Sequence, residues 1–226
     1  VETKAMAERS AILSELSLDD LKMLLMWEYL RRVTGGLSPD FNEPKLALSR
    51  TYFGDSFALP TRSKQVLDTI AGTIGHPMAR LFVEKNFSAE SKRAVEDMVG
   101  RVHAEFRSRL AKNTWLTKAT RQQALYKLDK VKISVGYPEK WIDYSAVDIR
   151  PGEYFGDLER ISEFLAQRNL ARWGGPVAED EFANPSETLP TLINAGYDPL
   201  RNAIEIPAAF LQPPIYDPKG DPATNF

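Results

Sequence analysis

The chain has 226 residues, 43% of them hydrophobic and 27% charged, which is the composition of a globular protein with room for one large domain or two small ones. Twenty-nine basic against 31 acidic side chains leave a net charge of −2, without the excess of positive charge that polyanion binding demands. There is no cysteine, which removes disulfides, thiolate metal sites and cysteine nucleophiles together.

Residues 1–15 are polar and mixed in charge, with no signal-peptide core. No apolar run is long enough for a transmembrane helix; Leu24-Leu25-Met26-Trp27 is typical. Ser17 followed by Leu18-Asp19-Asp20 predicts a capped helix over Leu18 to Val33, with Leu21, Leu24, Leu25 and Leu30 on its inner stripe and Gly35-Gly36 as its stop. A short helix is expected over Lys45 to Tyr52, and another from Thr61 to about Ile74, ending before Gly75-His76-Pro77. Ser88 caps the clearest helix, whose stripe is Val95, Met98, Val99, Val102, Phe106 and Leu110. Thr117 opens the next, with Ala124, Leu125, Leu128 and Val131 inward, stopping before Gly136-Tyr137-Pro138. All these stripes are read as core.

Composition shifts near Asp148 to Gly152, and one further helix is expected from Tyr154 to about Leu170. Leu189 to Tyr197 and Asn202 to Pro207 then read as two strands joined by the turn Asp198-Pro199-Leu200-Arg201, a β-hairpin. A two-stranded ribbon alone is marginal in water. The proline-rich stretch from Leu211 to Pro222 reads as extended or looping chain.

Local chemistry offers little. There is no phosphate-binding glycine loop and no Gly-x-Ser-x-Gly elbow. Two histidines exist, His76 and His103, neither with a histidine partner at zinc-binding spacing, so each reads as a surface or structural histidine. The carboxylate runs Asp19-Asp20 and Glu179-Asp180-Glu181 read as solvated.

The C-terminal part is more specific. Asn194-Ala195-Gly196-Tyr197, then Asn202-Ala203-Ile204-Glu205-Ile206-Pro207-Ala208-Ala209-Phe210-Leu211-Gln212-Pro213-Pro214, closely resembles a segment of the neprilysin-like zinc metallopeptidases, where Pro-Ala-x-x-Leu-Gln-Pro-Pro recurs. Upstream, Arg80-Leu81-Phe82-Val83-Glu84, Phe87 to Lys92, Thr114-Trp115-Leu116-Thr117 and Ile133 to Pro138 resemble further family strings in the same order. The resemblance runs from about Leu18 to the C-terminus. It departs at Phe182 to Leu189, a poor match to the family's Trp-x-Met-x-Pro, and at Gly196, which stands in place of an aromatic. The family's His-Glu-x-x-His helix and its more distant Glu-x-x-x-Asp would follow Phe226.

The resemblance implies a mainly α fold with a small α+β part: a helical lobe, then the first β-hairpin of a thermolysin-like catalytic lobe. Residues 1–150 would belong to the helical lobe that filters substrates by size, and residues 151–226 would begin the catalytic lobe with its substrate-binding edge strand. The implied function is the N-terminal portion of a zinc metalloendopeptidase that cuts oligopeptides on the amino side of hydrophobic residues. The zinc, with its ligands and the catalytic glutamate, would be held beyond this chain, on a complementary C-terminal segment or chain. An extended peptide would pair with the 189–197 strand by β-augmentation. Asn194 and Ala195 would hold its main chain, and Phe210 and Ile215 would line the pocket for the residue after the cut. No catalytic or metal residue is expected here, and no nucleic-acid partner. The lack of cysteine favours a bacterial protein, periplasmic or secreted, over disulfide-rich animal ectodomains. The rival reading is a non-catalytic helical scaffold or peptide-binding module derived from such an enzyme.

Overall fold

The computed structural model describes residues 3–54, 57, 58, 60–176, 182 and 188–226. The chain is mainly α-helical with one small sheet and divides into two compact units.

The first unit comprises residues 1–65 and 149–159. It contains α1 (Thr3–Glu15), α2 (Leu18–Val33) and α3 (Glu43–Phe53), with short 3₁₀ turns at Thr34–Gly36 and Pro39–Phe41. Helix α1 has no sequence counterpart above, because its apolar residues Met6, Ile12 and Leu13 all face solvent and write no stripe. The start of α2 is as the residues predict. Ser17 Oγ accepts from the Asp20 amide at 3.2 Å, while Asp20 reaches back to the Ser17 amide, a reciprocal capping box. Its inner stripe is not core, however. Leu24, Leu25 and Leu30 are exposed within the unit, as are Met26 and Trp27. Packing is close at Gly36, where a Cβ would stand 3.0 Å from Leu158 Cδ1. Tyr29 Oη donates to Glu159 at 2.5 Å, which holds that phenol above its usual pKa.

The second unit comprises residues 66–148 and 160–226. Its scaffold is α4 (Arg62–Asn86, from Val66 onward), α5 (Ala89–Ala111) and α6 (Lys118–Asp129), with α7 (Tyr154–Ala171) from Arg160. Helix α4 does not end at Ile74. It kinks there (φ −110°, ψ 43°) and continues to Asn86. Pro77 supplies the cause, since it has no N–H for the Thr73 carbonyl and its ring crowds that turn. Gly75 permits the bend to pack closely, because a Cβ would lie 2.5 Å from Leu189 Cδ1.

The sheet has strand order β1-β3-β2, with β1 at Lys132–Gly136, β2 at Gly196–Asp198 and β3 at Ala203–Pro207. β2 and β3 form the expected antiparallel hairpin, with Tyr197 opposite Ile204. Its first strand is only three residues long. Leu192 closes a turn on the Leu189 carbonyl at 2.9 Å, and the Pro190 carbonyl accepts from Ala209, so 189–192 is drawn out of the ladder. The turn between the strands is an Asx turn in which Asp198 Oδ1 accepts from the Leu200 and Arg201 amides.

β1 was not anticipated as a strand. It lies parallel to β3 with Lys132 opposite Ala203 and Gly136 opposite Pro207, and it gives the hairpin the third strand that a lone ribbon lacks. On it Ile133 and Val135 point to one face, where the core gathers Val83, Phe87, Val95, Leu211 and Tyr216. Helix α5 feeds that core with the N-terminal half of its stripe. Its C-terminal half, Val102 and Phe106, is exposed. A helical turn, α8 (Pro222–Asn225), capped by Asp221, follows the proline-rich stretch.

Candidate functional site

The residues read as substrate-binding lie on two neighbouring segments around β3. Asn194 and Ala195 form the irregular lead-in to β2, both exposed, and Asn194 makes no side-chain hydrogen bond among the described residues. β2 pairs with β3 along one side, leaving its other side as an edge among the described residues. Such an edge presents unpaired backbone donors and acceptors. Phe210 and Ile215 lie on the run of turns after β3, Phe210 half-buried and Ile215 48% exposed. The 2.8 Å bond from the Ala209 amide to the Pro190 carbonyl ties that run to the chain leading into Asn194. The structure thus places all four residues at one end of the sheet, on segments joined by backbone hydrogen bonds.

At Gly196 the structure shows what occupies the place of an aromatic. Gly196 faces Glu205 across the ladder, and a Cβ would stand 3.2 Å from Glu205 Oε1. The Glu205 side chain lies over the glycine. Residues 183–187 of the departing stretch, and Glu179-Asp180-Glu181, lie outside the described residues.

The two histidines serve the fold. His76 is fully buried, edge-on to Trp141, and its Nδ1 accepts from the Ile142 amide at 3.3 Å. His103 meets the Leu128 carbonyl at 3.0 Å through Nε2, and since a carbonyl only accepts, Nε2 bears the proton. No group of three His, Asp or Glu side chains among the described residues could hold a metal ion. The donor set of the described residues therefore does not fit a zinc site.

Two features escaped the sequence reading. An open apolar groove of about 940 Å³ runs between α5, α6 and the sheet, with Phe106, Trp115, Leu128 and Ile204 in its walls and Lys127 at its rim. Lys127 Nζ lies 5.5 Å from the centre of the Tyr197 ring. Its signal was the exposed half of the α5 stripe together with Trp115, which is 81% exposed. The second is a buried cation. Lys92 Nζ donates to the Tyr137 carbonyl at 3.0 Å and to Glu139 at 2.6 Å, and it lies 4.4 Å from the Tyr137 ring centre. The Lys92 ammonium holds the Glu139 carboxyl below the usual glutamate range.

Comparison with known proteins decides the family. Residues 2–138, more than half of the chain, match the model of peptidase family M13. The chain belongs to that family. It is 27% identical to mouse neprilysin over 95% of its length, covering 29% of that protein. Against the neutral endopeptidase of Lactobacillus helveticus it is 27% identical, covering 96% of itself and 33% of the relative. Among solved structures, the zinc metalloprotease Zmp1 of Mycobacterium tuberculosis in its open state superposes with a TM-score of 0.81 at 30% identity, over 96% of this chain and 33% of the other. The chain spans about a third of the length of these relatives. Zmp1 is itself a zinc metalloprotease. Among the described residues no helix is long and apolar enough to cross a membrane.

Proposed function

We propose that these residues are the N-terminal portion of a zinc-dependent metalloendopeptidase that cleaves oligopeptides on the amino side of hydrophobic residues. The observation that carries the reading is the exposed Asn194-Ala195 lead-in to the edge strand β2, beside the turns that bear Phe210 and Ile215. An extended peptide laid along β2 continues the sheet by backbone hydrogen bonds. Asn194 offers that peptide both a donor and an acceptor. Phe210 and Ile215 receive the apolar side chain after the cut bond. Residues 1–150 belong in this reading to the lobe that filters substrates by size, and residues 151–226 to the start of the catalytic lobe. Zinc and its ligands reside on a C-terminal part that completes the site. A bacterial, periplasmic or secreted setting fits a chain free of cysteine.

The test joins these residues to a C-terminal part carrying the His-Glu-x-x-His helix and supplies unstructured peptides with single internal phenylalanine or leucine residues. Mass spectrometry of the products should locate cuts before those residues, lost on chelation and restored by zinc. Zinc-independent cutting, cuts after hydrophobic residues, or no cutting by a folded and zinc-loaded enzyme would overturn the reading, the last favouring a non-catalytic module.

A further inference from the structure

We infer that Gln212 is a positioning residue that sets the shape of the pocket for the peptide side chain after the cut bond. The inference rests on the reading just given for Phe210 and Ile215. Those two residues sit on consecutive turns over 208–215, outside any strand ladder. Pro213 and Pro214 lie between them and contribute no N–H, so the backbone of this segment has few donors with which to fix itself. Gln212 compensates from its side chain. Its Nε2 donates to the Ala208 carbonyl at 2.9 Å, where the turns begin, and to the Asn86 carbonyl at 3.3 Å, at the end of α4. Asn86 is the last residue of that helix, whose final carbonyls have no partner within the helix. The Gln212 backbone carbonyl in turn accepts from the Ile215 amide at 2.9 Å and the Tyr216 amide at 3.2 Å. A single residue therefore holds four points: the root of the turns, the end of α4, Ile215 and Tyr216.

Burial of the segment has other anchors. Leu211 and Tyr216 enter the core, and Ala208 is fixed to the Gly136 carbonyl at 2.9 Å. Removing the Gln212 amide should leave those anchors in place and free Phe210 and Ile215 to shift relative to α4. The side chain is fully used in this work: a carboxamide has two donor hydrogens, and two backbone carbonyls take them.

The experiment compares the completed enzyme with Gln212→Met, which keeps length and bulk without donors, and Gln212→Glu, which sets a carboxylate against two carbonyls. Each is assayed for kcat/KM on two peptides differing only in phenylalanine or alanine after the cut. The phenylalanine-to-alanine ratio should fall roughly five- to ten-fold in both variants, the scale of one lost hydrogen bond. A structural role would lower both peptides equally and leave the ratio unchanged, overturning the inference. A second readout needs no activity. In the 226-residue chain carrying fluorophenylalanine, the Phe210 resonance, assigned through Phe210→Leu, should move in Gln212→Met while that of Phe106 in the α5–α6 groove stays. A Phe210 resonance that does not move overturns the inference as well. If wild-type enzyme cuts peptides without regard to the residue after the bond, the assignment of Phe210 and Ile215 falls, and this inference with it.

Discussion

Lys92 and Glu139 meet at 2.6 Å, although 47 residues separate them, and the lysine is buried while the carboxylate is not. The pair joins the first turns of α5 to the chain leaving β1. Because Lys92 depresses the Glu139 pKa in the folded state, the bond contributes stability above the glutamate's unfolded pKa and loses it as pH falls through the folded one. Glu139→Gln should thus lower stability at neutral pH, by no more than about 1 kcal/mol given the exposure of the carboxylate. The gap from wild type should begin to shrink as pH falls to the ordinary glutamate range and close once pH has passed the lowered folded value. Urea unfolding of both proteins at several pH values checks this, and a constant gap would refute it.

Gly136→Ala should be severe. The position has φ +75°, and a Cβ there would stand 2.6 Å from Phe87 Cε1 in the core. Backbone strain and overpacking together should cost about 2–4 kcal/mol in denaturant unfolding. A loss under about 1 kcal/mol would mean that Phe87 yields more readily than the close packing around it implies.

Asn194→Ala should weaken peptide turnover in the completed enzyme by roughly ten-fold, the equivalent of about 1–2 kcal/mol, without changing the melting temperature. The exposure of Asn194 motivates the second half of that expectation. Wild-type kinetics beside a lowered melting point would assign it to the fold instead.

The 226 residues alone should take up no stoichiometric zinc, since His76 and His103 are each engaged with the backbone. Metal analysis after dialysis against zinc measures this directly, and one tightly held ion per chain would contradict it.

Helix starts were legible because their chemistry is local. Ser17, Ser88 and Thr117 each accept from the amide three residues on, as their sequences foretell. What could not be read was whatever depends on distant partners. Lys132 to Gly136 carries strand-forming residues, yet its identity as β1 comes from β3, far along the chain. The continuation of α4 through Pro77 depends on packing such as that of Leu189 over Gly75. The stripes of α2 and the second half of α5 were legible as amphipathic, but periodicity does not tell a face covered within its own unit from one left open. For the candidate site, the motif around Asn194 and Phe210 was visible in one dimension, while the clamp by Gln212 needed the end of α4 to be brought beside it.

The parallel pairing of β1 with β3 has a consequence for how the protein is made. Lys132 leaves the ribosome 71 residues (203 − 132) ahead of its partner Ala203. At about 5–20 residues per second, β1 waits on the order of 4–14 seconds with its ladder groups unmatched. During that interval the apolar face of Ile133 and Val135 has helices α4 and α5 to lie against but no strand beside it. Nascent chains stalled before residue 203 should therefore be the ones that chaperones hold most strongly, and release should follow once Pro207 has emerged.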